Sequence, residues 1–484
     1  MSAPYRIAGA TGEWEIVVGL EVHCELSTAT KLFCSCANRF GAEPNTNVCP
    51  VCLGLPGSLP VLNRHAVELA MAIGTALGCE IRPSVFHRKN YFYPDMPKDY
   101  QVTQYDEPIN VAGALELADH ARVGIVRAHL EEDTGKTTHV GGDGRIHGAD
   151  YALVDYNRAG VPLVEIVSAP DITSPEQARA YVAELRAVLV ATGASDGRME
   201  EGSLRVDANV SVRRVGDPSY GTRCEVKNLN SLRSLGRAIE HEAHRQVAVL
   251  EDGGLVAQET RHWNETTGRT TSMRSKEEAF DYRYFPEPDL VRLAPGREWI
   301  AAVAAGLKML PAARRARLAA LVGEDAPAAL EQIATALDLG LDDLVVAAAG
   351  LGAPARLALA RAANEAAQDP ASARALAPEA FAEVLHLESS GALSATQAKA
   401  VLAEMLAGKG SPRAIAQRLG FEGLSAEELD TVVAGVIGEH PAEWERYAAG
   451  DDKVAQFLLG QVMRRTKGRA NGKLVAEALQ RRRA

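Results

Sequence analysis

The sequence lacks the features that mark membrane-spanning and secreted proteins. Its longest uncharged apolar-leaning stretch, Leu344–Ala355, has 12 residues and contains Pro354, whereas a membrane-spanning helix needs about 20. No basic segment followed by an apolar one occurs in Met1–Trp14, so no secretory signal is predicted. The seven cysteines are an odd number, which does not favour a disulfide framework. We therefore expect a cytoplasmic protein with no membrane partner.

The sequence also lacks the motifs of several common enzyme classes. It contains no Gly-x-Gly-x-x-Gly fingerprint, which disfavours dehydrogenases. Gly135–Thr137 imitates the end of a phosphate-binding loop, but Leu130 stands where that loop requires a glycine. The two histidines of His241–His244 are three residues apart, whereas the zinc-protease motif needs four.

The composition is that of a folded protein with an uneven charge distribution. Hydrophobic residues make up 46% and charged residues 24% of the 484 residues, which is ordinary for two to four globular domains. The net charge is −11, yet the segment Lys453–Ala484 has nine Lys and Arg and one acid. A basic tail on an acidic body indicates that the tail binds a polyanion.

Residues 1–296 combine strand and helix patterns, so we predict an α+β domain. Runs rich in Val, Ile and Leu predict strands over Trp14–His23, Tyr151–Asp155 and Pro162–Val167. A capping box at Ser174 opens a helix that stops near Gly193. A second long helix is predicted over residues 231–250.

Beyond residue 296, alanine and leucine dominate, and both favour helices. We predict an all-α domain over 297–410 and, after the breaker at 408–412, a basic helical tail domain over 411–484. The predicted helices of this part include Ala312–Val322, Pro327–Leu337, Pro378–Leu387 and Ser394–Ala407.

Four cysteines have the spacing of a structural zinc site. Cys34 and Cys36 are followed after twelve residues by Cys49 and Cys52, and two close pairs of thiolates suit tetrahedral zinc. Because four sulfur ligands leave no open position, we expect a zinc ion that holds the loop 34–52 in place. Four reduced, buried cysteines are the alternative.

Two segments concentrate polar side chains that suit a metal or phosphate site. A strand in Gly19–Glu25 would place Glu21, His23 and Glu25 on one face, because side chains alternate with a period of two. The segment His129–Lys136 has three consecutive acids, which repel one another unless a cation or solvent neutralises them. Mg²⁺ favours carboxylate oxygens completed by substrate phosphate. A solvated strand face and an exposed acidic turn are the alternatives.

Two more segments add charged side chains. Met199–Asn209 begins with paired acids and continues as a strand that carries Arg205 and Asp207 on one face. The run His87–Lys98 mixes cations with aromatic residues, which suits phosphate contact and base stacking; a packed aromatic loop is the alternative. Acid clusters on separate strands, with cations near them, predict metal-dependent phosphoryl transfer without a P-loop. The basic tail suggests that the substrate is linked to nucleic acid.

These motifs resemble those of the B subunits of bacterial aspartyl/glutamyl-tRNA amidotransferases. The resemblance is dense over about 14–290 and returns near the end of the chain. The segments that carry it are Trp14–Glu25, Arg88–Asp95, His129–Lys136, Leu153–Glu165, Met199–Asn209, Lys227–Ser231, Gln258–Arg261, Asp281–Asp289 and Phe457–Ala470.

The resemblance implies one member of a heterotrimer, whose other members are an amidase (the A subunit) and a small bridging protein (the C subunit). In this family the B subunit uses ATP and Mg²⁺ to activate the side-chain carboxylate of Glu on tRNA(Gln), or of Asp on tRNA(Asn). Ammonia from glutamine then arrives through an internal channel and displaces phosphate. The implied fold is a cradle domain similar to glutamine synthetase, then a helical domain and a tail that grips tRNA.

The resemblance also assigns site residues. Glu21, His23, Glu131 and Glu132 match the metal and ATP site of the family, and Lys89 and Lys98 match lysines near the active pocket and the channel mouth. Glu200, Ser203 and Arg205 are further candidates for cofactor binding. The cysteine quartet corresponds to a zinc loop that only some members keep. The tail departs from the family at Gly472, where relatives usually have proline.

Two other functions compete with this interpretation. The chain could be an ATP-dependent carboxylate–amine ligase for a free small molecule, although a small acid needs no basic tail. It could instead be a zinc-stabilised tRNA-binding scaffold without catalysis, although acid clusters would repel bound RNA unless a metal neutralises them.

Overall fold

The computed structural model describes residues 5–141, 148–275, 282–323, 327–421, 426–466, 470 and 472–483. Asp281, which begins one of the family-like segments, lies outside the described residues, as do 467–469, 471 and 484 of the basic tail. The chain forms two compact units, Met1–Ala312 and Ala313–Ala484.

The first unit is built on strands, and four helices accompany them. The strands are β1 (Arg6–Gly9), β2 (Gly12–Glu25), β3 (Glu80–Ile81), β4 (Val85–Asn90), β5 (Tyr100–Glu107), β6 (Asn110–Glu116), β7 (Arg122–Glu132), β8 (Lys136–Val140), β9 (Tyr151–Asp155), β10 (Pro162–Ser168), β11 (Leu204–Arg214), β12 (Cys224–Lys227), β13 (Glu259–Asn264), β14 (Arg269–Ser275) and β15 (Phe285–Pro286). The helices are α1 (Arg64–Ala76), α2 (Pro175–Ala191), α3 (Leu232–Glu251) and α4 (Arg297–Ala305).

Thirteen of these strands form one sheet, whose main order is β14-β13-β12-β11-β2-β10-β7-β5-β4-β15. Every neighbouring pair is antiparallel except β12 and β13. The strands β8 and β9 form a separate two-stranded sheet. Antiparallel strands can be joined by short turns. This agrees with the order of elements along the chain, in which several strands follow one another directly.

The sheet has one apolar face and one polar face, as the alternation in β2 predicts. Leu20, Val22 and Cys24 are fully buried in the first hydrophobic core together with residues of α1, α2 and α3. Glu21 and His23 point to the opposite face and remain partly accessible. Burial of the apolar face orients the polar side chains towards the site described below.

Two helices of the first unit, α2 and α3, begin where the sequence predicts. Ser174 Oγ accepts a hydrogen bond from the backbone N–H of Gln177 at 2.9 Å, and Pro175 occupies the first turn of α2. Ser231 caps α3 in the same way, through the N–H of Ser234. A side-chain oxygen at this position satisfies one backbone donor that the helix leaves unpaired.

The second unit contains only helical elements within its described residues. The α-helices are α5 (Pro311–Val322), α6 (Pro327–Asp338), α7 (Asp342–Gly350), α8 (Ala355–Asn364), α9 (Pro370–Arg374), α10 (Pro378–Ser389), α11 (Ala395–Leu406), α12 (Pro412–Arg418), α13 (Ala426–Glu439), α14 (Pro441–Ala448), α15 (Ala455–Arg465) and α16 (Gly472–Arg483), and two short 3-10 helices are Ala366–Gln368 and Asp452–Val454. The predicted succession of an α+β part and a helical part is therefore confirmed.

The hydrophobic cores bear on the domain boundaries, which stay predictions. The second unit holds one core between residues 318 and 416 and another between 429 and 479. Trp299 of α4, which follows the predicted boundary at 296, packs on the core of the first unit. Ile415 of α12, which follows the predicted boundary at 410, belongs to the core that begins at residue 318. Each of these two hydrophobic cores therefore extends beyond the Pro- and Gly-rich segment at which the domain boundary is predicted.

In the described part of the chain, each helix is too short or too polar to span a bilayer.

Candidate functional site

The candidate site lies on the polar face of the sheet, where four neighbouring strands align four polar side chains in one row. Arg205 of β11 is opposite His23 of β2, which is opposite Glu165 of β10, which is opposite His129 of β7. Side chains of directly opposite residues stand about 5 Å apart on the same face. Strand pairing therefore brings together residues that are distant in the sequence.

Glu131 lies two residues beyond His129 in β7 and completes a group of candidate metal ligands. One donor atom from each of His23, Glu131 and Glu165 lies within 4.8 Å of the other two. Nε2 of His23 is 3.9 Å from a carboxylate oxygen of Glu131. Nε2 of His129 is 3.2 Å from a carboxylate oxygen of Glu165. Two carboxylates and one imidazole at these distances can bind a single divalent cation.

The charges in this group also favour a cation. Glu131 and His129 are buried. Burial alone would raise the pKa of Glu131, but the neighbouring imidazole of His129, with the charges of His23 and Lys89, lowers it to about 2. Within the described residues, neither ring nitrogen of His129 has a hydrogen-bond partner of good geometry. A buried ionised carboxylate beside other acids is stable only where positive charge compensates it.

A cavity of about 550 Å³ opens over this group. Part of its wall combines cations with aromatic rings. Nζ of Lys89 lies 4.7 Å from the ring centre of Tyr282, and the guanidinium of Arg127 lies 4.8 Å from that of Tyr105. Nε of Arg127 is buried and has no hydrogen-bond partner among the described residues. The cavity therefore joins a carboxylate cluster to cations that can contact an anionic ligand.

Glu21 lines the same cavity on the side of β12. Its carboxylate accepts a hydrogen bond from the amide of Asn209 at 2.9 Å. Nearby, Nζ of Lys227 lies 2.6 Å from Asp207 and 3.2 Å from Glu225. Burial alone would lower the pKa of Lys227, but the charges of these two acids raise it. Lys227 is therefore a permanent cation at this end of the cavity.

A second charged cluster adjoins the row at the end of β7. Arg205 donates a hydrogen bond to Asp133 at 2.6 Å, and Arg158 lies 3.5 Å from the same carboxylate oxygen. Burial would raise the pKa of Asp133, but the charges of these arginines hold it below its usual value. Burial and the charge of Asp133 raise the pKa of Glu25 to about 7. Arg205 is thus positioned by an acid rather than directed into solvent.

The structure separates the two consecutive acids Glu131 and Glu132. The carboxylate of Glu132 forms an ion pair with Lys98 and accepts a hydrogen bond from the backbone N–H of Val102 at 2.9 Å. These residues line another cavity, of about 280 Å³, on the opposite face of the sheet. Period-two alternation requires this, because neighbouring residues of a strand point to opposite faces.

Among the sequence-predicted residues, the first cavity thus brings together Glu21, His23, Glu131 and Lys89, but not Glu132 and Lys98. Glu200, Ser203 and Arg205 do not line it either. Glu200 is exposed. The hydroxyl of Ser203 accepts from the backbone N–H of Arg198 at 3.0 Å and donates to Asp196, so it braces the turn before β11.

The four predicted zinc ligands converge at the edge of the smaller cavity. Sγ of Cys52 lies 3.6 Å from that of Cys34 and 3.7 Å from those of Cys36 and Cys49. Tetrahedral zinc with Zn–S bonds of about 2.3 Å requires sulfur atoms about 3.8 Å apart. The quartet therefore fits a structural metal ion. Gly54, at a φ of 62°, closes this loop beside Lys98, where a Cβ atom would lie 2.6 Å from the lysine side chain.

Two family models match large parts of this chain. Residues 16–301 match the family model described as the GatB/GatE catalytic domain, and residues 356–482 match the one described as the GatB domain. The chain belongs to the GatB/GatE family. The catalytic-domain match spans the whole carboxylate cluster, and the second match covers most of the helical unit.

Relatives within this family extend over nearly the entire chain, and each is named as the B subunit of an aspartyl/glutamyl-tRNA(Asn/Gln) amidotransferase. The protein of Frankia casuarinae is 51% identical over 96% of this chain and 95% of its own length. Those of Thermobifida fusca and Streptomyces coelicolor are 49% and 47% identical, over 95% and 97% of this chain and 92% and 96% of their own. The resemblance seen in the motifs, and the enzyme class that it implies, are confirmed.

Sequence reasoning did not assign roles to Glu165, His129 and Arg127, which the structure adds to the site. Glu165 did leave a signal, because it is a single charged residue inside the apolar run Pro162–Val167. Burying a charge is costly unless it is paired. The identity of its partners depends on the pairing of β10 with β2 and β7, which no local pattern contains.

Proposed function

We propose that the chain activates the side-chain carboxylate of Glu or Asp esterified to tRNA, using ATP, and converts it to the amide. The observation that carries this proposal is the convergence of His23, Glu131 and Glu165 beneath a cavity with cationic walls. A carboxylate has a poor leaving group, so amide formation in water requires prior activation. The names of the relatives indicate that the substrate is a misacylated tRNA.

In the proposed site, His23, Glu131 and Glu165 would hold Mg²⁺, and Glu21 lines the same cavity. The buried carboxylate of Glu131, whose pKa is lowered, and the imidazole of His129 beside Glu165 fit a bound cation. When bound, the ion supplies charge stabilisation for the phosphates of ATP. Glu165 replaces Glu132 in the set of ligands inferred from the motifs, because the side chain of Glu132 faces the other cavity.

The cations of the wall have a complementary role. Transfer of the γ-phosphoryl group to the substrate carboxylate releases ADP and forms an acyl phosphate, and ammonia then attacks the acyl carbon and releases phosphate. Lys89 and Arg127 stabilise the negative charge that develops on the transferred group.

We assign Lys98 and Glu132 to the ammonia route rather than to the metal. Their cavity lies behind the sheet and also contains Arg88 and Glu287. Because the two cavities lie on opposite faces of the same strands, ammonia can approach from one side while the aminoacyl group and ATP occupy the other. Its source in the proposal is an amidase, the A subunit, which the small C subunit joins to this chain.

The remaining parts of the chain have supporting roles in the proposal. The α+β part is a cradle similar to glutamine synthetase, zinc holds the cysteine loop, and the helical parts divide near 296 and 410. The basic tail binds tRNA. An exposed Arg464 and the arginines 481–483 at the end of α16 support this assignment, since phosphate contacts supply most of the affinity of such surfaces.

The test is a reconstituted reaction of this chain with candidate A and C subunits, ATP, Mg²⁺ and glutamine. Glu-tRNA(Gln) and Asp-tRNA(Asn) are supplied separately, and the amino acid released from the tRNA is analysed. We expect ATP-dependent amide on at least one tRNA. Glu165→Gln should lower the rate at least 100-fold, whereas Glu176→Gln, which alters an exposed acid of α2, should leave it within two-fold.

The absence of amide on both tRNAs, with the partner proteins and tRNAs shown to be competent, would refute the proposal and favour a tRNA-binding scaffold. Amidation of free glutamate or aspartate in the same assay would favour the small-molecule ligase instead. Full activity of Glu165→Gln would refute the ligand set but not the reaction.

A further inference from the structure

Lys31, which precedes the cysteine loop, is a lysine buried in the interior of the first unit. Its side chain is 1% exposed. Its ammonium group has three donors, and three acceptors surround it: Sγ of Cys52 at 3.5 Å, the carbonyl of Asn47 at 3.0 Å and that of Tyr156 at 3.4 Å. In the described part of the chain, no carboxylate forms an ion pair with Lys31.

A buried ammonium group needs negative charge nearby, because transfer out of water is costly for an unpaired ion. The thiolate of Cys52 is the anion within reach. Sγ of Cys52 lies within 3.7 Å of the other three sulfur atoms, so its charge is part of that of the whole quartet. Four thiolates around a divalent ion carry a net charge of about −2, which is equally costly to bury. Each charged group therefore compensates the other.

Lys31 also connects the cysteine loop to the strand that carries Glu131. Its contact with Tyr156 joins it to the segment 156–161, and the backbone N–H of the next residue, Leu32, donates to the carbonyl of Gly160 at 2.9 Å. Gly160 N–H in turn donates to the carbonyl of Asp133 at 2.9 Å. Asp133 follows the last residue of β7, so this segment braces the end of the strand.

We propose that Lys31 is a positioning residue for the cysteine site: its ammonium group is the counter-ion of the tetrathiolate metal centre and ties that centre to the segment 156–161 beside β7. Lys31 contacts no ligand of the reaction in this proposal. It stabilises the metal through the sulfur of Cys52, and it fixes the cysteine loop relative to the end of β7.

The first test uses the purified full chain loaded with zinc, and it does not depend on amide formation. Zinc release to a chromogenic chelator is measured for the wild type, Lys31→Met and Lys136→Met, the last of which changes an exposed lysine of β8. We expect release from Lys31→Met at least ten-fold faster than from the other two proteins. Equal release rates, or a wild-type chain that binds no zinc, would overturn the proposal.

A spectroscopic measurement separates a contact with sulfur from a merely structural role. In the cobalt-substituted protein, loss of an N–H···S hydrogen bond raises the energy of the sulfur lone pairs. The thiolate-to-cobalt charge-transfer band of Lys31→Met should therefore move to longer wavelength, while that of Lys136→Met stays at the wild-type position. An unchanged band in Lys31→Met would overturn the counter-ion assignment.

The link to β7 can be tested in the wild type, so it remains testable if Lys31→Met does not fold. Hydrogen exchange is compared between the zinc-loaded chain and the chain stripped of zinc. We expect at least five-fold faster exchange of amides in 131–135 and 156–161 after stripping, with no change in α2 as the internal control. Equal exchange of these two segments in both forms would overturn the link.

Discussion

Buried charges identify the positions that matter most in this protein, because an ion leaves water only where an opposite charge or a metal lies close. Glu131 meets two histidines, and Lys31 meets a thiolate. Asp342, at the first position of α7, is fully buried against Arg314 and Arg317 of α5. The first two lie at candidate ligand sites, whereas Asp342 joins two helices of the second unit.

Asp342 allows a prediction about stability and its dependence on pH. Burial would raise the pKa of Asp342, but the hydrogen bonds and charges of Arg314 and Arg317 lower it. A lowered pKa means that the carboxylate stabilises the fold above its usual pKa of about 3.9 and that this contribution disappears as the pH falls through the folded-state value. Asp342→Asn should therefore lower the free energy of unfolding by about 2 kcal/mol at pH 7.

Urea unfolding of the full chain, followed by circular dichroism, measures this effect. The matched control is Asp343→Asn, because Asp343 also pairs with Arg317 but is 80% exposed and should contribute less than about 1 kcal/mol. The difference between the wild type and Asp342→Asn should shrink as the pH is lowered towards 3. A difference that grows in acid would contradict the assigned charge state.

The strand β7 decides which acid of the consecutive pair faces the candidate metal site. Leu130 is fully buried on the apolar face, so Glu131 must point to the polar face and Glu132 away from it. The two acids, although adjacent and identical in chemistry, should therefore respond differently to the same substitution.

We predict that Glu131→Gln weakens divalent-ion binding at least ten-fold, whereas Glu132→Gln changes it less than two-fold. Titration of Mn²⁺ followed by electron paramagnetic resonance measures the affinity, and both variants remove one negative charge, so each controls for the other. Equal loss of Mn²⁺ affinity in the two variants would mean that Glu132 also reaches the ion.

Many of the strands and helices could be predicted from the sequence, because periodicity and capping residues act within a few positions of the chain. The helix predicted to begin at Pro378 begins there, and the strand Tyr151–Asp155 has the predicted bounds. Strand partners could not be predicted in the same way. The pairing of β10 with β2 joins residues about 140 positions apart, so no local pattern encodes it.

For the whole molecule, the charge distribution predicts separate binding of tRNA and of the metal. Removing residues 426–484, which hold the third hydrophobic core, should weaken tRNA binding at least ten-fold at low salt and flatten its salt dependence, because fewer counterions are released. Mn²⁺ affinity should stay within two-fold of the wild type. Filter binding over a range of salt concentrations measures the first effect.

Point variants provide a milder version of this test. Arg483 pairs with Asp452, whereas no ion pair is found for Arg464 or Arg481 within the described residues. The double variant Arg464→Ala/Arg481→Ala should weaken tRNA binding about equally for both tRNAs and lower the salt slope by about 2. Retained affinity and slope in both the truncated chain and this double variant would exclude the tail from tRNA binding.

Patterns that act over short distances were sufficient for many of the elements, for the grouping of the four cysteines and for the family of this protein. Cys34, Cys36, Cys49 and Cys52 lie close together because they are close in sequence, and alternation alone places Glu131 and Glu132 on opposite faces. The sequence alone did not show that Glu165 belongs to the candidate metal ligands; only the folded sheet brings it beside His23 and Glu131. Strand register depends on burying one entire face of the sheet at once, and that is a property of the whole core rather than of any segment.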